Sequence, residues 1–336
     1  MKTMLYHKKQ NFIKTSGIGR AYRQQTEALK LNGITLVNSL EECDVVHYNT
    51  VFSDSYRSLK KAKKLGIPTV VHAHSTKEDY LNSFNFANIT KKWFYKRMYK
   101  MYSNADVLIT PSEYSKSLIE GYGWTKCNIH PISNGLVVKE YERSEEKEQK
   151  FLNHFGLKKG DKVVIGIGLL FVRKGLPDFV EVAKEFPDVT FVWFGHLNKL
   201  AQTKVIKKAI KNRPNNVKMP GYISGDIIKG ALTYANALLF PSYEETEGIV
   251  VLEAMASKTP VIVRNIPVYD QFQDGVNVLK ANNNEEFIKH VKTTLNNDLK
   301  EIVDNAYKNV LKKDLKHIGA QIKKVYEEVI ESNKVK

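Results

Sequence analysis

The feature that most constrains this chain is a pattern that occurs twice. Short apolar runs alternate with segments of helical length, once in each half. In the first half the runs are Val45-Val46-His47-Tyr48, Thr69-Val70-Val71-His72, Val107-Leu108-Ile109 and Ile129-His130-Pro131-Ile132. Helical spacing occupies 18–32, 54–65, 78–103 and 113–122. In the second half strands are expected at 162–168, 189–195, 216–219, 237–240 and 260–264, with helices at 177–186, 199–212, 226–235, 249–257 and 283–295. Strand–helix alternation implies an α/β fold with mostly parallel sheets covered by helices on both faces.

Between the halves, residues 138–150 are almost entirely charged, which reads as a linker and a solvated helix without chemistry. The expected organisation is a first Rossmann-like domain over 1–137, a charged linker over 138–160, a second Rossmann-like domain over 161–299, and a polar helix pair over 300–336.

Several classes are disfavoured. Hydrophobic residues make up 42% of the 336, ample for packed cores. No apolar run approaches the roughly 18 residues of a membrane span, and Met1-Lys2-Thr3-Met4-Leu5-Tyr6 leads into no signal-like apolar segment. Cys43 and Cys127 form neither a disulfide framework nor a metal spacing, which suits a reducing cytoplasm. The net charge is +16, and residues 1–135 carry +10 of it. Such a balance suits an anionic surface, lipid or nucleic acid, or only solubility.

The stretch Phe240 to Pro260 carries the densest chemistry. A strand enters a turn at Pro241-Ser242. Glu244, Glu245, Glu247 and Glu253 follow, and a helix begins near Val250. A helix N-terminus at the carboxyl end of a strand presents free N–H groups and a positive dipole end, suited to phosphate. Carboxylates there can accept bonds from sugar hydroxyls, or simply cap the helix. Ser16-Gly17-Ile18-Gly19-Arg20, preceded by Lys14-Thr15, is a second such place: the glycines permit close backbone approach and Arg20 adds charge. It lacks the G-x-G-x-x-G spacing of an NAD site. His72 and His74 fall on one side of a strand end; a metal pair lacks a third ligand. No D-x-D triplet occurs, so a catalytic divalent metal is not implied, and no cofactor is expected.

These elements together resemble the retaining glycosyltransferases of the large sucrose-synthase-like family (GT4-type), whose GT-B fold sets two Rossmann-like domains facing across a cleft. The motifs are Glu245 to Glu253 as an E-x7-E element, Ser16 to Arg20, His72-Ala73-His74-Ser75, Thr110-Pro111-Ser112, Ser133-Asn134-Gly135, Arg173-Lys174-Gly175, Gly221-Tyr222-Ile223 and Asp274-Gly275. They span nearly the whole chain. Within the family the resemblance is greatest to bacterial diglycosyldiacylglycerol synthases, which add a second, α-linked sugar to monoglucosyldiacylglycerol.

The resemblance implies a UDP-hexose donor, glucose or galactose. Donor contacts would come from Gly17, Gly19, Arg20, Arg173, Lys174, Tyr222, Ile223, Glu245, Gly248, Ile249, Val250 and Glu253. Glu253 would hold the ribose, Glu245 the hexose, and Tyr222-Ile223 the base. His74, Glu245 and Lys174 would be catalytic; His74, Glu78 and Asp79 would face the acceptor. The last helix would cross back to the first domain. Three departures stand out. Leu169 occupies the place of a usual arginine, leaving Arg173 or Arg20 to supply the second charge. Glu247 stands where many members have an aromatic, and Lys258 replaces a usual glycine.

Residues 88–102 are basic and aromatic. At 100° per residue Phe94, Tyr95, Met98, Met101 and Tyr102 share one face, with Lys92, Lys96, Arg97, Lys100 and Trp93 on the other and Lys91 breaking the pattern. This is the pattern of an interfacial helix against anionic lipid, extended by Arg57, Lys60, Lys61, Lys63 and Lys64. It is equally the pattern of a surface helix packed by its apolar stripe. The expectation is a cytoplasmic enzyme bound peripherally to the inner membrane face, with no nucleic-acid partner. A same-fold transferase for a polysaccharide or teichoic-acid precursor, and a non-enzymatic scaffold, are the alternatives.

Overall fold

The computed structural model describes residues 1–6, 16–81 and 83–334. The chain forms two compact units. The first comprises Met1–Leu81, Ile89–Leu136 and Lys313–Lys336; the second comprises Asn82–Asn88 and Val137–Lys312.

The first unit holds six parallel strands: Lys2–Tyr6 (β1), Thr35–Leu36 (β2), Val45–Tyr48 (β3), Thr69–His72 (β4), Val107–Thr110 (β5) and Ile129–Pro131 (β6). Their spatial order is β2-β1-β3-β4-β5-β6. The runs are apolar on both faces because both are covered. Val46, Tyr48, Val71 and Leu108 pack to one side with Leu59, Met98, Met101 and Tyr102. Their neighbours Val45, Val70, Val107 and Ile109 point to the other side, with Leu29, Ile318, Ile322, Val325 and Tyr326.

Leu29 lies on the helix Gly17–Leu31 and the other four on the C-terminal helix, and the two helices form a pair on that face. The C-terminal helix Leu315–Lys334 lies against Gly17–Leu31 so closely that a Cβ on Gly319 would come within 2.2 Å of the Ala28 carbonyl oxygen. Leu136 and Leu315 secure its start: Leu136 N–H donates to Lys313 O and Leu315 N–H to Leu136 O, both at 3.1 Å.

The second unit holds Val163–Ile167 (β7), Thr190–Phe194 (β8), Val217–Gly221 (β9), Ala237–Phe240 (β10), Val261–Arg264 (β11) and Leu279–Ala281 (β12), all parallel, in the order β12-β11-β10-β7-β8-β9. Val164, Phe191, Trp193, Leu239 and Ile262 form its core with Phe179 and Phe287. In both sheets the order reverses beside the strand that opens the unit's first loop, where ligands gather in open α/β sheets.

Three readings of the sequence need correction. The stretch 138–160 is no free linker. Glu145–Phe155 forms a helix within the second unit, its Phe151 and Leu152 buried beneath the charged face. The single helix expected over 78–103 is two, Lys77–Tyr80 and Ala87–Tyr102. The aromatic face of the latter is core rather than lipid-facing: Met98, Met101 and Tyr102 are fully buried, and Phe94 stacks on Tyr80 at 4.0 Å. Arg97 is likewise tied to the fold, donating to Ser53 Oγ at 2.7 Å. Lys91, Lys92, Trp93, Lys96 and Lys100 remain outside. No helix among the described residues is long and apolar enough to cross a membrane.

Candidate active site

In the second unit, two strand ends converge on one carboxylate. β7 leads through Gly168 and Leu169 to Arg173-Lys174-Gly175, and β10 leads to Ser242 and Glu245. The two loops are locked together: Gly175 has φ 76°, and a Cβ there would lie 2.3 Å from the Pro241 carbonyl oxygen. Only glycine fits such a left-handed, backbone-to-backbone approach.

Lys174 Nζ donates to Glu245 Oε1 at 2.5 Å, and Ser242 Oγ donates to the same oxygen at 2.7 Å. The Arg173 guanidinium stands 3.9 Å away and is aimed by bonds to Ser83 Oγ and the Glu244 carbonyl. Glu245 is 5% exposed. Burial alone would push its carboxyl up. The Lys174 and Arg173 charges and the two hydrogen bonds outweigh that and hold it below the usual carboxylate range.

Gly248, with φ 80°, caps the helix Ile249–Ala256, so Ile249 and Val250 lie in its first turn, where N–H groups are unclaimed by the helix. Glu253, one turn on, is 2% exposed and accepts a 2.6 Å hydrogen bond from the Tyr141 hydroxyl. Glu247 is also buried. Tyr222 and Ile223 follow β9, and Tyr222 is 45% exposed. Thus Arg173, Lys174, Glu245, Gly248 and Glu253 gather around one loop and helix start, with the Arg173 guanidinium on the loop that follows Leu169.

In the first unit, Ser16 caps Gly17–Leu31 by accepting from Gly19 N–H at 3.3 Å, which places Gly17, Gly19 and Arg20 in the first turn. Lys14 and Thr15, which open this loop, lie outside the described residues. His72 and His74 do share one side of β4: their rings stack with centroids 4.1 Å apart. His74 Nε2 lies 2.7 Å from Asn49 Oδ1. Burial brings the His74 imidazole down to about 3. Glu78 accepts from the Tyr122 hydroxyl, and Asp79 N–H is capped by Thr76 Oγ1.

Four residues of these sites carry no motif of their own. Tyr141 sits in the charged stretch that reads as inert; an aromatic flanked by Glu140 and Glu142 is the signal it offers. Arg264 ends β11, bonds the Pro241 carbonyl and pairs with Asp178 at 3.4 Å, bracing the β10 turn. Tyr269 is fully buried with its hydroxyl against Gly248, and burial beside Glu245 and Glu247 pushes that hydroxyl well up. Asn49 follows β3 at a carboxyl end, the position that could have drawn attention to it.

Comparison with known proteins agrees with this layout. Residues 20–140 match the model for Glycosyltransferase Family 4, and residues 147–312 that for Glycosyl transferases group 1. The chain is 46% identical over 332 residues to the processive diacylglycerol alpha-glucosyltransferase of Acholeplasma laidlawii, covering 98% of this chain and 99% of that one. It is 28% identical to the alpha-galactosylglucosyldiacylglycerol synthase of Streptococcus pneumoniae, over 77% of this chain and 71% of the relative. In fold it is similar to Anabaena HepE, solved in complex with UDP and glucose, with a TM-score of 0.76 at 17% identity over 97% of this chain and 99% of that one. The chain therefore belongs to the GT4-type glycosyltransferases of GT-B fold, and is a hexosyltransferase.

Proposed function

We propose that this enzyme moves glucose or galactose from a UDP-hexose onto monoglucosyldiacylglycerol, with retention, giving an α-linked diglycosyldiacylglycerol at an anionic membrane surface. The observation that carries this reading is the Lys174–Glu245–Arg173 cluster beside the start of Ile249–Ala256, in a chain 46% identical to a diacylglycerol glucosyltransferase.

Breaking the bond from the sugar to the diphosphate builds negative charge on the leaving group. Lys174, Arg173 and the N–H groups of Ile249 and Val250 form a fixed set of donors for that charge, which lowers the barrier without reorganisation. The role needs no bound metal. Glu245 orients Lys174 and accepts from the hexose; it is not assigned as a nucleophile. Glu253, with Tyr141 behind it, accepts from the ribose, since a carboxylate offers four lone-pair sites. Tyr222 and Ile223 flank the base. On the first unit, Gly17, Gly19 and Arg20 serve the diphosphate. His74 serves the sugar, and Glu78 and Asp79 serve the acceptor.

Membrane contact rests on Lys91, Lys92, Trp93, Lys96 and Lys100, together with the helix Ser53–Lys64. The ammonium groups of Lys60 and Lys100 both lie within 6 Å of the Tyr56 ring, so the two helices share one basic face. Ile89 and Trp93, 78% and 55% exposed, stand among those charges. Apolar side chains within a cationic surface suit the headgroup region of anionic lipid. The test is product formation from radiolabelled UDP-glucose and UDP-galactose with defined lipid acceptors.

A further inference from the structure

Behind His74 lies a buried polar chain that the proposed reaction does not use. Gln25 on the helix Gly17–Leu31, His47 on β3, Asn49 just after it, and His72 on β4 are each 4% exposed or less. Asn49 Nδ2 donates to Gln25 Oε1 at 2.6 Å. Gln25 Nε2 faces His47, at 3.1 and 3.2 Å from its ring nitrogens, and His72 Nδ1 at 3.4 Å. His47 Nδ1 lies 2.6 Å from the hydroxyl of Tyr326 on the C-terminal helix.

The order of donors along this chain has a consequence. With its amide nitrogen committed to Gln25, Asn49 turns Oδ1 toward His74 Nε2. A carbonyl oxygen only accepts, so Nε2 must carry the proton. His74 Nδ1 then holds a lone pair and takes no hydrogen bond among the described residues.

We infer that Asn49, oriented by Gln25, is a positioning residue that fixes His74 as the neutral Nε2–H tautomer, so that His74 meets the sugar only as a hydrogen-bond acceptor through Nδ1. The inference rests on the reading of His74 as a group at the reacting sugar. The groups facing the three stacked imidazoles are two amides, Gln25 and Asn49, and one phenol, Tyr326. None of these carries a charge near neutral pH, so nothing there favours an imidazolium. Burial depresses His74 to about 3, burial with repulsion from His74 does the same for His47, and burial with repulsion from both other rings holds His72 well below its ordinary value. His74 would therefore act neither as a general acid nor as a fixed cation.

Two variants and one spectrum test this. Asn49→Asp keeps the shape but places a carboxylate on Nε2–H, which favours the imidazolium. Asn49→Ala removes the clamp. In ¹⁵N-histidine spectra the wild type should show His74 protonated at Nε2, unprotonated at Nδ1, and not titrating down to about pH 5. Asn49→Asp should bring its titration into the range near the ordinary value of about 6.5 and add a matching limb to the pH–rate profile. Asn49→Ala should lower kcat about tenfold, the equivalent of one hydrogen bond, while leaving UDP affinity unchanged.

A wild-type His74 protonated at Nδ1, or titrating near 6.5, would overturn the inference. If the titration moves in Asn49→Asp but the rate profile does not, the clamp stands. The assignment of His74 to the reaction then fails.

Discussion

The Tyr141 hydroxyl donates a 2.6 Å hydrogen bond to Glu253 Oε1, joining the turn that follows the first unit to the helix that carries the E-x7-E element. The bond fixes the direction in which the carboxylate faces. Removing it in Tyr141→Phe should weaken UDP binding about tenfold, the size expected for a hydrogen bond to a charged group. Titration calorimetry with UDP measures this, and kcat at saturating donor should change far less.

Lys174→Met removes the charge nearest Glu245 and, in our account, the main stabiliser of the leaving diphosphate. The expected loss in kcat is about 10²–10³-fold, as for deletion of other preorganised oxyanion donors. The same change leaves the buried Glu245 with only the Ser242 hydrogen bond and the Arg173 charge 3.9 Å away among the contacts described, so a stability loss of about 3 kcal/mol should accompany it. Lys174→Met combined with Glu245→Gln should recover stability but not rate, which denaturant melts and steady-state assays would separate.

The Glu245 carboxyl is held below its ordinary value of 4.5, because Lys174, Arg173 and Ser242 outweigh its burial. A depressed carboxylate contributes stability that is complete above its unfolded-state value and declines as pH falls through the folded one. The wild type should therefore lose stability on acidification below about pH 4.5 more steeply than Glu245→Gln. Melting temperatures across pH 3 to 7 would show parallel curves if Glu245 were not so paired.

How much of this was legible beforehand follows from particular residues. The doubled β-α pattern gave both sheets because Val45-Val46 and Val70-Val71 are apolar on both faces, which parallel strands require. Lys2–Tyr6, Thr35–Leu36 and Leu279–Ala281 were missed, being either mixed in polarity or only two or three residues long. Lys174 and Glu245 were each visible in a motif. Their pairing across 71 residues was not, since nothing local encodes it. Helix Ala87–Tyr102 shows the limit of periodicity: it reveals an apolar face but not what covers it, and here Val46, Tyr48 and Leu108 do.

That same helix still offers lysines on its outer side. Reversing Lys91, Lys92, Lys96 and Lys100 to Glu should weaken binding to phosphatidylglycerol vesicles by about fivefold or more per residue, from roughly 1 kcal/mol per basic group. UDP affinity should not change, because none of the four lies in the donor cluster. Vesicle sedimentation at low and physiological salt, with calorimetry as the control, separates the two effects.

The most direct measurement of the central claim is thin-layer analysis of product from radiolabelled UDP-glucose and UDP-galactose. Diacylglycerol and monoglucosyldiacylglycerol would be offered in mixed micelles, with and without phosphatidylglycerol. The account predicts an α-linked diglycosyl product from monoglucosyldiacylglycerol, increasing with anionic lipid and formed about 10²–10³-fold more slowly by Lys174→Met. Clear UDP binding without product from either lipid would contradict it and leave a transferase whose acceptor is not a glycolipid.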